Sequence, residues 1–222
     1  GCASWKVGLL ALIGFYLVRA MDQWNNTMQT LALVVVAVIL ALIVAIPLGI
    51  WAAKSKRFSA IIKPILDFMQ TMPSLAYLVP VIVLFGIGQV PGAIATIIFA
   101  LPPGVRFTEL GIRGVDAETV EAGAAFGASP RHILWRIQMP LAMPTVMAGV
   151  NQVIMLALSM VVLSGMVGAG GLGGDVVAAL SQVDIGLGME AGLAVVVVAV
   201  YLDRITSGLA NRTPLARAQR AS

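Results

Sequence analysis

Charged residues are scarce in this sequence, and cysteine and histidine each occur only once. Of the 222 residues, 11% are charged, compared with roughly 25% in ordinary soluble domains. One cysteine excludes an internal disulfide, and one histidine excludes a multi-histidine centre, so we predict no metal site. The sequence is 59% hydrophobic, which is too apolar for a disordered chain or for a soluble domain of this size.

Charge is absent altogether from three long segments, residues 23–53, 68–105 and 137–174. A membrane core about 30 Å thick is crossed by about 20 helical residues, whose backbone polar groups bond within the helix. We therefore predict an all-α, multispanning membrane helical bundle with about six transmembrane helices and a tight external turn at residues 86–92. The predicted crossings are residues 7–18, 31–53, 74–87, 92–101, 141–163 and 189–202.

The basic residues predict the orientation of this bundle. With the N-terminus placed inside, 13 of the 14 lysines and arginines lie on one face, and only Arg19 lies on the other. Because positively charged loops stay in the cytoplasm, both termini are predicted to be cytoplasmic. The basic residues are spread between the crossings without interleaved aromatic residues, so no nucleic-acid partner is predicted. The sequence begins with Gly1 rather than methionine, and we expect it to have been trimmed there.

The longest polar stretch lies between the fourth and fifth predicted crossings and is too long for a passive connection. Asp116 suits the N-cap of a helix that Gly127 ends in a left-handed conformation. Ser129 as N-cap and Pro130 as first residue begin a second helix, which we expect Pro140 to end. The stretch therefore predicts two short helices that meet at a turn on the cytoplasmic side.

The first of these helices carries four consecutive small residues, Ala122, Gly123, Ala124 and Ala125. Small side chains let another surface approach a helix backbone closely. A short cytoplasmic helix of this kind suits docking to another protein. The alternative, a surface hairpin that lies on the lipid headgroups, stays open on these residues alone.

One segment resembles the EAA loop of permease subunits of binding-protein-dependent ABC importers: EAGAAFGASPRHILWRIQMP, residues 121–140. The family pattern is E-A-A, three variable residues, G, nine variable residues, I, one variable residue and L-P. Gly123 stands here in place of the second alanine, and Met139 in place of the leucine. Three further segments are similar to permeases of the glycine betaine, proline betaine and choline branch of this family. They are DFMQTMPSLAYLVPVIVLFGIG, PGAIATIIFALPPGVRFTELGIR and NQVIMLALSMVVLSGMVGAGGLGG.

This resemblance implies a type I ABC importer permease in a bacterial inner membrane. Its parts would be an N-terminal helix with an external loop (1–30), a permease core (31–205) and a cytoplasmic tail (206–222). The coupling loop, residues 116–140, would dock on a separate ATP-binding subunit that holds ATP and Mg. The other implied partners are an extracytoplasmic substrate-binding protein, a second copy of the permease and membrane lipid. The implied coupling residues are Glu121, Ala122, Gly123, Gly127, Ser129, Pro130, Ile137 and Pro140.

The sequence lacks the phosphate-binding loop of an ATPase. A Walker A loop needs a lysine directly after a glycine, and none of the four lysines follows one. The chain is therefore predicted to be no enzyme and to hold no cofactor itself. The resemblance implies alternating-access import of a small osmoprotectant: glycine betaine, proline betaine, choline or a similar quaternary amine. The alternative is an ion-gradient-driven secondary transporter or channel, which would need titratable residues that the predicted crossings nearly lack.

Several glycines follow the fifth predicted crossing. They match a dinucleotide-binding fingerprint in spacing, but they come after a long apolar segment instead of the short strand that such a site needs. We interpret them as irregular backbone shielded from lipid. Our hypothesis is that a gate or hinge forms from Gly168, Gly170, Gly171 and Gly173.

Polar residues interrupt the fifth predicted crossing. Asn151, Gln152 and Ser159 either bond to neighbouring helices or line the transport pathway. Met160 either lines the pathway with them or fills space between helices.

No aromatic cage for a quaternary amine is predicted, because Trp24 is expected in an external loop, and Trp51 and Trp135 near the inner membrane surface. We therefore expect selectivity to reside in the substrate-binding protein.

A second polar stripe precedes the third predicted crossing. Ser59, Lys63, Asp67 and Gln70 recur at helical spacing, and Lys63 can pair with Asp67 one turn later. The stripe predicts either an interfacial helix on the cytoplasmic surface or a helix that faces the pathway.

Overall fold

The computed structural model describes residues 5–210, and every regular element in that part of the chain is helical. The all-α prediction is therefore confirmed. A π-helical stretch (Ile133–Gln138) precedes the eighth α-helix, and a 3-10 turn (Gly165–Val167) follows it. The α-helices are α1 (Trp5–Ala20), α2 (Trp24–Lys54), α3 (Lys56–Thr71), α4 (Ser74–Phe85), α5 (Gln89–Arg113), α6 (Ala117–Ala125), α7 (Pro130–His132), α8 (Met139–Ser164), α9 (Gly171–Gln182) and α10 (Ile185–Ala210).

Within residues 5–210, four helical segments are long and apolar enough to cross a membrane: α2, α5, residues 130–167 and α10. The pair α3–α4, whose helices meet at 97°, would make a fifth. Six helices correspond to the predicted crossings, but α4 has only 12 residues, and the apolar part of α1 covers Ala11–Ala20. Helix α5 is much longer than its predicted crossing because it continues through Arg106 and Glu109, whose charges pair with α3.

The core forms where α2, α5 and α8 pack closely together. Gly49 lies so near α5 that a Cβ atom there would be 2.5 Å from Thr108 Cβ. Small residues let helix backbones approach each other in lipid, where apolar burial alone gives no driving force. The small side chains that α2 buries recur every three or four residues: Ala37, Ala41, Ala45, Gly49 and Ala52.

Large apolar side chains face outward from the bundle. Ile39 and Ile43 of α2 are 51% and 62% exposed, and Val83 of α4 is 79% exposed. Such a surface would aggregate in water but matches the hydrocarbon chains of a bilayer. The high apolar content of the sequence is therefore distributed over the surface as well as the core.

Pro140 does not end the second helix of the coupling loop, and this prediction is wrong. The helix continues from Pro130 to Val167, 38 residues in all. Just before the proline it widens into the π-helical stretch, where the Met139 N–H bonds to the Leu134 carbonyl five residues back. The wider turn makes room for the proline ring. Because proline has no backbone N–H to donate, the helix changes its hydrogen-bond pattern at this point and continues.

The C-terminal quarter differs from the predicted layout in two ways. Helix α9 occupies a segment in which the sequence analysis predicts only irregular backbone. The predicted cytoplasmic tail, residues 206–222, begins inside α10, which continues to Ala210. The remainder of that tail, residues 211–222, lies outside the described residues.

Candidate functional site

The coupling loop, residues 116–140, begins as the sequence predicts. The Asp116 carboxylate caps α6 by accepting a hydrogen bond from a first-turn N–H at 3.0 Å. Gly127 has a φ of +78°, the left-handed conformation expected beyond a helix C-terminus. The Ser129 hydroxyl caps α7 by accepting a backbone N–H at 3.3 Å, and Pro130 is the first residue of that helix. The two helix starts and the turn between them are confirmed.

Helix α6 and the turn after it project from the bundle, and we call residues 117–127 the coupling knob. None of the α6 residues is buried. Phe126, at the end of the knob, is 92% exposed, although phenylalanine is usually among the buried residues. An exposed ring beside small residues forms an apolar surface that is open to a partner. The sequence analysis missed Phe126 because its sequence neighbours do not show on which side of the turn the ring lies.

Two residues of the matched pattern meet where the knob joins the following helix. A Cβ atom at Gly123 would lie 2.5 Å from Ile137 Cδ1, so the glycine lets α6 approach the π-helical stretch. Both residues are half-buried, and they attach the knob to its support. The other predicted coupling residues are exposed, namely Glu121, Ala122, Gly127, Ser129, Pro130 and Pro140.

Beneath the knob, the ends of two long helices pack against each other. Ile112 of α5 forms a buried cluster with Leu134, Ala142 and Val146. Gly111 brings the backbones together, since a Cβ atom there would be 3.1 Å from the Ala142 carbonyl oxygen. The knob packs on the π-helical stretch of the 130–167 helix and follows α5 along the chain after three residues, so it adjoins both of these helix ends.

The polar stripe of α3 packs against α5. The Lys63 Nζ lies 3.5 Å from the Glu109 Oε1, and the Asp67 carboxylate pairs with Arg106. The predicted pair between Lys63 and Asp67 is wrong, because α5 presents a group of opposite charge to each of them. The sequence analysis missed Glu109 because an isolated acidic residue does not reveal which helix lies opposite.

The polar residues of α8 divide between packing and an open face. Asn151 Nδ2 donates to Asp203 Oδ1 of α10 at 3.5 Å, so the predicted bond between helices is confirmed for this residue. Gln152 and Ser159 are exposed on one face of α8, seven residues apart. Met160 is fully buried among side chains of α4 and α5. This burial favours the packing role over the pathway role, because the flexible thioether fills a gap between helices.

The glycine segment after α8 has the predicted irregular backbone only as far as Gly170, because Gly171 and Gly173 lie in the first turn of α9. It packs against α2, where the Leu172 N–H donates to Thr30 Oγ1 at 2.9 Å. A Cβ atom at Gly173 would lie 2.4 Å from the Val162 carbonyl oxygen, so the α8–α9 junction is tightly packed. That the segment acts as a gate or hinge stays a hypothesis. Positive φ angles of 76°, 73° and 62° occur at Gly168, Gly170 and Gly171.

The acidic side chains of the described residues do not gather into a metal centre. No three histidine, cysteine, aspartate or glutamate residues of the 5–210 region lie close enough to hold an ion. The candidate site therefore consists of two exposed surfaces, the coupling knob and the polar face of α8, together with the helix ends that support them.

Solved structures share this fold. Two inward-facing crystal forms of the MetNI methionine ABC transporter match with TM-scores of 0.73 and 0.70. The matches cover 86% and 88% of this chain, and 93% and 95% of the matched chains, at 21% and 22% sequence identity. The chain therefore has the fold of the membrane-spanning helical bundles in these two structures.

Sequence comparison shows the family. Residues 45–212 match the binding-protein-dependent transport system inner membrane component, and the chain belongs to that family. The chain is 50% identical over 211 residues to the glycine betaine/proline betaine transport system permease protein ProW of Escherichia coli. It is 51% identical over 203 residues to the glycine betaine/carnitine transport permease protein GbuB of Listeria monocytogenes. These alignments cover 93% and 91% of this chain, which spans 60% and 72% of the length of the two relatives.

Proposed function

We propose that the chain is the transmembrane permease subunit of an ATP-driven importer that moves a small osmoprotectant by alternating access. The observation that carries the proposal is the coupling knob, an exposed helix of small residues on a bundle with a lipid-facing surface. The substrate class is glycine betaine, proline betaine, choline or a similar quaternary amine. It is supported by relatives named for glycine betaine and for choline transport.

The knob is the docking surface for a separate ATP-binding subunit, which binds ATP and Mg. Phe126 is left almost fully open, and the small residues of α6 allow a second protein to approach the helix backbone. Because Ile112 and Leu134 join the ends of α5 and the 130–167 helix beneath the knob, closure of an ATPase dimer would move both helices together.

The polar face of α8 is covered by a second copy of the chain, with the transport pathway between the two copies. Gln152 and Ser159 are exposed on α8, and polar side chains that face lipid are costly. A facing α8 from a second copy would shield them while leaving a route lined with polar groups. An extracytoplasmic substrate-binding protein delivers the substrate at the opposite end from the knob.

The knob faces the cytoplasm of a bacterium, and both termini lie on the same side of the inner membrane. Lys54 ends α2 and Arg113 ends α5 three residues before α6, and the Arg113 Nη2 donates to the Ala52 carbonyl of α2 at 2.8 Å. Lys63 of α3 lies close to them, because it and Arg113 pair with the same Glu109 oxygen. A concentration of basic side chains at one end of a bundle favours the cytoplasmic side for that end.

Substrate selectivity resides mainly in the binding protein. A quaternary ammonium is held by the open faces of aromatic rings. In the described residues, the Phe15 ring packs edge-on against Tyr201 and Trp24, with centroids 4.9 Å and 6.1 Å away. These rings pack against each other instead of surrounding an open space, so they are poorly suited to form a cage.

The proposal is tested by reconstitution. The chain is expressed together with a candidate ATP-binding subunit, purified, and placed in vesicles with a glycine betaine-binding protein. We expect the ATP-binding subunit to co-purify and the uptake of labelled glycine betaine to require ATP. Uptake by the chain alone, driven by a proton or sodium gradient without ATP, would contradict the proposal and support a secondary transporter.

A further inference from the structure

Glu109 is a carboxylate buried at the end of the bundle that bears the knob. Its side chain is 5% exposed. The Oε1 atom accepts a hydrogen bond from Ser59 Oγ at 2.6 Å and lies 3.1 Å from Arg113 Nε and 3.5 Å from Lys63 Nζ. Arg113 also donates to the Ala52 carbonyl on α2. One carboxylate therefore links α3 to α5 directly, and α2 to both through Arg113.

The Glu109 carboxylate is the shared counter-charge of the two cations in this cluster. The side chains of Lys63 and Arg113 are 55% and 34% exposed, so both cations reach water while Glu109 does not. A buried ion pair holds helices together no better than well-packed apolar side chains of similar volume, but it can specify one arrangement of them. Without the Glu109 charge, the two cations would share a site with no anion between them.

The position of Glu109 connects it to the coupling knob. It lies one helical turn before Arg113, the last residue of α5, and three residues then lead to α6. Ile112, in that same last turn, belongs to the buried cluster beneath the knob. A displacement of the knob therefore reaches Glu109 through a continuous, well-packed helix end.

By comparison, α3 has few other attachments to α5. Its apolar contacts in this region come from one small cluster, in which Ile62 and Leu66, with Phe58 and Met69 at its edge, pack against Val105 and Leu101 of α5 and against α2. A second ion pair, between Asp67 and Arg106, is exposed. Beyond this region the chain bends by 97° into α4, so the direction in which α4 points depends on how α3 is held.

We propose that Glu109 is a positioning residue that makes α3 follow the base of the coupling loop, so that motion of the knob is passed to the bent pair α3–α4. This inference rests on the proposed function, because it needs an ATPase subunit that moves the knob. It assigns the α3 stripe to force transmission within the permease instead of to the surface of the pathway.

The test compares two variants that each remove one negative charge between the same two helices. Glu109→Gln acts on the buried carboxylate, whereas Asp67→Asn acts on the exposed pair and serves as the matched control. The complete transporter, with its ATP-binding subunit and binding protein, is reconstituted in vesicles. Glycine betaine uptake and ATP hydrolysis are then measured in the same preparation.

For Glu109→Gln we expect hydrolysis to continue while uptake per ATP hydrolysed falls by about fivefold, because energy is used without moving α3. For Asp67→Asn we expect a change within about twofold, since exposed ion pairs contribute little. A wild-type ratio in Glu109→Gln would overturn the inference. So would an equal loss of uptake and hydrolysis in a fully assembled complex, because it would indicate that the carboxylate supports only docking.

Should Glu109→Gln lower the amount of assembled complex, Ser59→Ala is measured in its place, since it removes one hydrogen bond to Glu109 and no charge. A reduced uptake per ATP is again expected, and a wild-type ratio would overturn the inference. A wild-type chain that recruits no ATP-binding subunit would contradict the proposed function and the inference with it. A wild-type uptake per ATP hydrolysed in the variants would contradict the inference and leave the proposed function unaffected.

Discussion

At the scale of single residues, Gly127 determines the shape of the coupling knob. Its φ of +78° is incompatible with proline, whose ring fixes φ near −65°. Asparagine tolerates the left-handed conformation better than other residues with a Cβ atom. We expect Gly127→Pro to abolish co-purification of the ATP-binding subunit and glycine betaine uptake, and Gly127→Asn to keep both. Equal amounts of both variants in the membrane, measured by immunoblot, would exclude a folding defect.

Phe126 is the largest apolar side chain on the coupling knob, and its ring is almost fully exposed. Burying a phenylalanine ring contributes about 1.5–3 kcal/mol, and about 1.4 kcal/mol corresponds to a tenfold change in affinity. We therefore expect Phe126→Ala to weaken binding of the ATP-binding subunit by about tenfold or more. The midpoint of thermal unfolding of the free permease should not change, because the ring is 92% exposed.

The control for Phe126 is Val83→Ala, which truncates a residue that is 79% exposed on α4. It should leave the affinity unchanged in the same titration of purified ATP-binding subunit. An affinity of wild-type strength in Phe126→Ala would show that the docked surface lies elsewhere on the loop.

Residue roles were predictable from the sequence where they depend on near neighbours. Asp116, Gly127 and Ser129 act on backbone groups within three residues, so their spacing alone predicts the caps and the turn. Glu109 and Met160 depend on which helix lies opposite, and a single sequence carries no direct information on that. The charged partners of Glu109 and the burial of Met160 therefore appear only in the folded chain.

At the scale of elements, the glycine segment between α8 and α9 is held against α2. A Cβ atom at Gly171 would lie 2.5 Å from Thr30 Oγ1, the atom that accepts the Leu172 N–H, and its φ is +62°. We expect Gly171→Ala to separate α9 from α2 and to reduce glycine betaine uptake strongly. The amount of chain in the membrane should change little, because the long helices remain intact.

Gly174 offers a matched control for Gly171. A Cβ atom at Gly174 would meet nothing within 4 Å, although it lies only three residues away in α9. Uptake by Gly174→Ala should therefore stay at the wild-type level. Equal uptake by both variants would remove the hypothesis that this segment is a gate or hinge.

The helices themselves were predictable from uncharged apolar segments, but their ends and interruptions were not. The sequence analysis ends the fourth crossing at residue 101, whereas α5 continues to Arg113 because its charges are paired by α3. The π-helical stretch before Pro140 could not be predicted from the sequence either, since a proline usually indicates a helix end. Both differences arise where tertiary contacts or an altered hydrogen-bond pattern override a local signal.

At the scale of the whole molecule, the proposed pairing of two chains can be tested by cross-linking. In an interface with twofold symmetry, a residue near the axis meets its own copy. With Cys2, the single cysteine, replaced by serine, we expect Ser159→Cys to form a disulfide-linked dimer on oxidation in membranes. Non-reducing electrophoresis would detect it.

Ile39→Cys is the control for this experiment. Ile39 is exposed on α2 among other large apolar residues, so we expect it to face lipid and to stay monomeric on oxidation. Dimers from Ile39→Cys in preference to Ser159→Cys would place the second copy on a different face of the bundle.

The unbroken helix from Pro130 to Val167 sets how far the knob stands from the bilayer. At about 1.5 Å per residue, its 38 residues measure about 57 Å. A bilayer with its headgroups is about 40–45 Å thick, so a straight helix of this length, placed along the membrane normal with its far end level with one surface, extends beyond the other by about 12–17 Å. In the importer proposed above, the ATP-binding subunit would contact this overhanging end in water, and a tilt of the helix there would also displace its other end at the glycine segment after Val167.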